Sequence, residues 1–326
     1  MPQFSDPWIR AGFLLTIFTT LTIVNVIGVK QGIALVKVTT VIKLALLSLL
    51  IVWGSTKIVP ENLAWHSAPA LDDLGKISLV LFFAFQGAEN SLSISGEVKK
   101  PNRTVPLGIL LAFTIILIFY IAIQLVSQGV LGDSFANYKD APLAEVARRV
   151  MGPFGVTLMV AGAAISMLGY LSSDSLSTPR ILFRSAKDGV MPIKQLANVH
   201  SKYATPFVSI ILYASLCCFF SITGEFRQLA IFASSSALLI YLGVALAVIK
   251  FRLSKEKYPS TFKIPGGYTV PVISIITILW FLSHLTSKEL TGLGIFVTLI
   301  SVAYFILKHF KIIKETSSNI KSSAEN

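Results

Sequence analysis

The chain has 326 residues, 54% of them hydrophobic and 13% charged, with a mean hydropathy of +0.73. Soluble domains carry about 25% charged residues, so an ordinary globular fold is excluded and a polytopic membrane protein is indicated. The formal net charge of +12 does not point to nucleic acid, because the basic residues lie in short loops beside apolar runs rather than on one soluble face.

Nine membrane segments are expected, at 11–28, 33–53, 76–98, 106–131, 153–177, 206–223, 227–249, 268–286 and 290–308. Each is long enough, or nearly so, for a hydrocarbon core of roughly 30 Å. The linkers carry helix-ending residues, among them Pro60, Pro101, Gly152-Pro153, Pro206 and Pro265-Gly266-Gly267. Basic loops at 98–105, 178–205 and 250–264, and a basic tail from Lys308, alternate with loops at 54–75, 132–152, 224–226 and 287–289. The latter are poor in positive charge or balanced by acid. The alternation predicts that the basic set and the C-terminus face the cytoplasm.

The second segment carries Lys43 ten residues into an otherwise apolar helix. A lysine at membrane depth is costly and points to function; the competing reading is snorkelling to the interface. In the third segment, LVLFFAFQGAENSLSISGEVKKPNRTVP, the apolar run stops at Gly87 and an acid, Glu89, follows. A helix broken at membrane depth survives only where protein or a water-filled cavity covers its backbone, and in secondary transporters such breaks hold the substrate. Phe82, Phe83, Ala84, Phe85 and Gly87 are therefore candidate substrate contacts. In low dielectric the charged form of Glu89 is disfavoured, which suits proton linkage; the alternative is a structural kink with Glu89 paired to a buried donor.

The fifth segment ends in Ser172, Ser173 and Asp174. The serine hydroxyls are suited to ligate a cation or to bond a neighbouring helix, and Asp174 is a second acid at membrane depth, for which pairing with Arg180 is the competing reading. Glu145, Arg148 and Arg149 share a face of a short extracellular amphipathic helix, read as a cover. His200 is read as a solvated loop histidine. The adjacent Cys217 and Cys218 are packing residues. The sequence offers no phosphate loop, no nucleophile with a base and no metal cluster, so neither an enzyme nor a cofactor is expected.

The 79–106 run, with FxFxGxE and the exit EVKKPNRTVP, resembles the sixth helix of permeases of the amino acid–polyamine–organocation (APC) superfamily. The block GAAISMLGYLSSDSLSTPRILFRSAKDGVMP at 162–192 resembles that superfamily's eighth helix and its cytoplasmic extension. The likeness runs through almost the whole chain and matches helices four to twelve of a twelve-helix permease. It implies an all-α membrane bundle, an incomplete LeuT-type inverted repeat with no counterpart of the first three helices. Residues 1–326 form a single membrane domain: 11–53 would be the last two helices of the first repeat and 76–249 the second five-helix repeat. Residues 268–308 would be two additional helices, and 309–326 a cytoplasmic tail.

The resemblance further implies proton-linked secondary uptake or exchange of an amino acid or related amine. Lys43 then stands where sodium-coupled relatives bind a cation, Asp174 aligns with a substrate-facing position, and Glu89 matches the GxE of arginine/agmatine antiporters. Ser172 and Ser173 belong to the coupling set. The partners implied are a small-molecule substrate, protons and the lipid bilayer, with an oligomer possible. A non-transporting remnant or accessory membrane subunit is the alternative.

Overall fold

The computed structural model describes residues 6–27, 32–64, 68–88, 98–138, 141–254 and 266–309. Nine α-helices run through them: α1 (Pro7–Ile27), α2 (Gly32–Ser55), α3 (Leu71–Phe83), α4 (Pro101–Leu131), α5 (Pro142–Lys187), α6 (Phe207–Thr223), α7 (Phe226–Leu253), α8 (Thr269–Ser283) and α9 (Ser287–His309). Short 3₁₀ turns lie at Pro60–Leu63, Gly132–Asn137 and Lys194–Ala197.

Hydropathy alone mislocates several ends, because a helix continues wherever its backbone bonds do. α4 begins at Pro101, five residues before the expected start, with a proline at the first position, where no amide partner is needed. α5 extends ten residues beyond the apolar run at its C-terminal end, where Arg184 and Lys187 complement the helix dipole. Among the described residues six helices are long and apolar enough to cross a membrane, whereas α6, α8 and α3 have 17, 15 and 13 residues. The outer faces are strongly apolar: Leu111 is 62% exposed and Ile240 66%. Such surfaces suit acyl chains, not water. The molecule is an integral multi-pass membrane protein.

The chain divides into two compact units. One comprises Leu21–Ala68 and Gly108–Thr178. Its core joins Leu50 of α2, Val126, Val130 and Leu131 of α4, and Val146, Ala147, Val150 and Met159 of α5. Helices in lipid gain no hydrophobic drive from meeting, so close backbone approach matters more. The α2–α5 seam has that character. A Cβ added at Gly169 would lie 2.6 Å from Thr39 Oγ1, and one at Gly162 would strike the Leu46 side chain. The two contacts define an antiparallel register, since seven residues separate each pair.

One end of this unit is closed by polar groups. Arg148 donates twice to Glu145, at 2.7 Å each. Arg149 lies 3.5 Å from the same carboxylate and donates to the Val130 carbonyl and the Ser134 hydroxyl. Asn62 donates to the Gly129 carbonyl at 2.9 Å. Gly152, with φ 69° and ψ −160°, kinks α5 between this amphipathic arm and the apolar stretch that follows.

The second unit comprises Met1–Thr20, Pro69–Leu107 and Pro179–Asn326. Leu79 of α3, Leu238 of α7 and Ile278 of α8 are its buried centre. Phe82, Tyr241, Phe281 and Leu282 close around them. Gly75 of α3 abuts the His284 ring so closely that no Cβ would fit between them.

If the α2–α5 register rests on glycine, Gly169→Leu should cost about 1–3 kcal/mol of bundle stability through overpacking, read as a lower thermal midpoint in detergent. Gly108→Ala should move the midpoint little, since an added Cβ there meets nothing within 4 Å.

Candidate functional site

α3 starts at Leu71 with Asp72 and Asp73 in its first turn, where carboxylates favour the helix dipole. Its 13 residues rise about 20 Å, short of a hydrocarbon core of roughly 30 Å. The helix ends at Phe83, and residues 84–88 are turns. Three amides tighten this end by reaching back three residues. Ala84 donates to Leu81 at 3.0 Å, Phe85 to Phe82 at 3.0 Å and Gln86 to Phe83 at 3.2 Å. Gly87 then takes φ +108°, a conformation that L side chains rarely adopt. Glu89 lies outside the described residues, as does the continuation through residue 97.

The candidate contacts point in different directions. Phe82 turns into its own unit, its ring 6.0 Å from those of both Tyr241 and Phe281. There it borders an apolar cavity of about 470 Å³ between α7 and α8, with Val244, Pro271 and Ser274 among its walls. Phe83 is 38% exposed and sets its ring edge-on to Phe226, at 5.9 Å. Ala84 is exposed, and Phe85 and Gly87 are half-buried. Gln86, which no motif singled out, donates through Nε2 to Ser234 Oγ of α7 at 3.1 Å. Only the folded chain reveals that pair, since 148 residues separate its members.

Lys43, Ser172, Ser173 and Asp174 belong to the other unit. Lys43 is exposed and lies on the α2 face that carries Thr39 and Leu46, the residues seated against Gly169 and Gly162. The antiparallel register sets Lys43 level with Ile165. Ser172 lies a further seven residues along α5, about 10 Å by helical rise. Ser166, a half-buried hydroxyl missing from the sequence reading, is one residue from that level, on the α5 face of Gly162 and Gly169. Ser172, Ser173 and Asp174 are all half-buried. Asp174 Oδ1 accepts the Thr178 hydroxyl at 2.9 Å, and the Ser173 carbonyl accepts the Ser177 hydroxyl at 3.1 Å.

His200 is more engaged than a solvated histidine. Its Nδ1 accepts the amides of Lys202 at 3.2 Å and Tyr203 at 3.4 Å, and its ring lies against Tyr203 and Phe207. It organises the turn before α6. Cys217 is half-buried and Cys218 buried, both as free thiols.

Long apolar helices with apolar outer faces define an α-helical membrane protein. The chain belongs to the amino acid permease family, whose model matches residues 2–287. It is 26% identical over 282 residues to the methylthioribose transporter of Bacillus subtilis (strain 168), an alignment covering 86% of this chain and 60% of that protein. With the branched-chain amino acid permease BcaP of the same organism it shares 22% identity over 300 residues, covering 91% and 64%. With that organism's serine/threonine exchanger SteT it shares 23% over 307 residues, covering 92% and 69%. The chain therefore spans about three-fifths of the length of the first two of these relatives.

An added Cβ at Gly87 meets nothing within 4 Å, so its substitution tests backbone conformation alone. Gly87→Ala should cost about 1–3 kcal/mol, seen as a lowered thermal midpoint in detergent. Gly294→Ala, where space is also free and no positive φ is required, should leave the midpoint within error of the parent.

Proposed function

We propose that this protein is a secondary transporter of amino acids or related amines in the cell membrane, with its C-terminus in the cytoplasm. The substrate sits at the Phe83–Gly87 turn, and transport is proton-linked. The observation that carries this reading is the end of α3 at Phe83 followed by the positive φ of Gly87. The half-helix end directs its partial charge toward a solute at such a turn. Family membership and relatives named as permeases and exchangers support the class of cargo.

In this reading 11–53 closes a first repeat, 76–249 forms the second and 268–308 adds two helices. Alternating access works around the break at 83–90. Phe83 covers the substrate side chain, Ala84, Phe85 and Gly87 let the backbone approach it, and Asp174 contributes from the eighth-type helix. Phe82 acts behind the site, as its packing into Tyr241 and Phe281 suggests. Lys43 supplies the positive charge that a sodium ion supplies elsewhere, and Ser172 and Ser173 complete the coupling set. Glu89 takes up and releases the coupled proton.

The test is uptake of labelled amino acids by the full chain in proteoliposomes. Uptake should follow an inward proton gradient without sodium, and Glu89→Gln should flatten its pH dependence. Lys43→Met should lower uptake at least tenfold, the effect of about 1.4 kcal/mol. Uptake that requires sodium would overturn the role of Lys43, and an unchanged pH profile that of Glu89. Absence of uptake in any gradient would leave an accessory, non-transporting membrane subunit as the better reading.

A further inference from the structure

We propose that Gln86 and Ser234 form a latch that fixes the 84–88 turn against α7, Gln86 acting as a positioning residue rather than a substrate ligand. The inference rests on the reading of that turn as the substrate site. The Gln86 amide reaches back to the Phe83 carbonyl at the end of α3. From the same residue the side chain reaches across to α7, Gln86 Nε2 donating to Ser234 Oγ at 3.1 Å.

The acceptor is well placed to hold the turn. Ser234 is fully buried, at 0% exposure. The next serine along spends its hydroxyl inside the helix, Ser235 donating to the Ile231 carbonyl at 2.7 Å. The Ser236 hydroxyl is buried with no partner among the described residues. Of three consecutive hydroxyls, Ser234 alone bonds to the turn. A carboxamide left unpaired in such surroundings is costly, so the latch favours one turn geometry over others. Both groups are uncharged, which leaves the latch unaffected by protonation over the working pH range. Phe83 meets Phe226 on the same helix, so the turn is tied to α7 from both sides of Ala84.

The latch makes a prediction about access to the turn that does not require transport. The full chain, with Cys217→Ala and Cys218→Ala, would carry Ala84→Cys as its single thiol in liposomes. Alkylation by a small maleimide reads exposure of the turn, with and without a mixture of the twenty amino acids. Ser234→Ala and Gln86→Leu should each change the alkylation rate about fivefold, the factor that a net hydrogen bond represents. Ser234→Thr, which keeps the hydroxyl, should restore the parent rate.

An unchanged rate in both variants would overturn the latch. So would a changed rate that Ser234→Thr fails to restore while that variant retains the parent thermal midpoint. Should Ser234→Ala not fold, the half-buried Gln86→Leu carries the comparison. Amino acid protection bears on the site reading separately. Protection without latch dependence removes the latch only, and latch dependence without protection removes the substrate site only.

Discussion

A hydrogen bond that cannot be made to water governs this molecule. Inside a bilayer every backbone amide and carbonyl must find a protein partner or a wet cavity. The helices answer this internally along most of their length, and α3 stops doing so at Phe83. Three short bonds tighten its end, and glycine then admits a backbone path closed to other residues. The fold around the turn follows from the need to hold what has been opened. Phe82 is driven into the Leu79–Leu238–Ile278 core, Phe83 is turned to Phe226, and Gln86 is bonded to Ser234. Anchoring of the turn thus falls to neighbouring residues of one short segment.

The other unit solves a different problem. Its helices meet at the level of Lys43 through small residues, because apolar bulk is no glue in a medium that is itself apolar. Toward one end the rules change. There Arg149 and Asn62 donate to the Val130 and Gly129 carbonyls near the end of α4, and Arg148 pairs with Glu145. Gly152 lets α5 pass from that polar arm to its apolar stretch at a single residue.

Much of this was legible in the sequence for physical reasons. Apolar runs of bilayer length announce helices whatever their partners, and a glycine followed by an acid in such a run announces an interruption. Helix ends were not legible to the same degree. Residues 178–187 extend α5 beyond its apolar run, with Arg184 and Lys187 in its last turn, whereas 142–151 form the short amphipathic helix that the sequence announces, ahead of the kink at Gly152. Nor could the sequence tell Phe82 from Phe83, since adjacent aromatics point to different neighbours only once the helix phase is set. Gln86 with Ser234 and the ring of His200 with the amides that follow it are products of folding, and no local pattern encodes them.

The glycine seam also decides how the ammonium of Lys43 is held. Thr39 and Leu46 flank it on α2, and each is seated in a notch cut by a missing side chain on α5. The backbone at Lys43 is therefore held by steric fit on both sides, so the cation can be chemically erased while the rod that carries it stays in place.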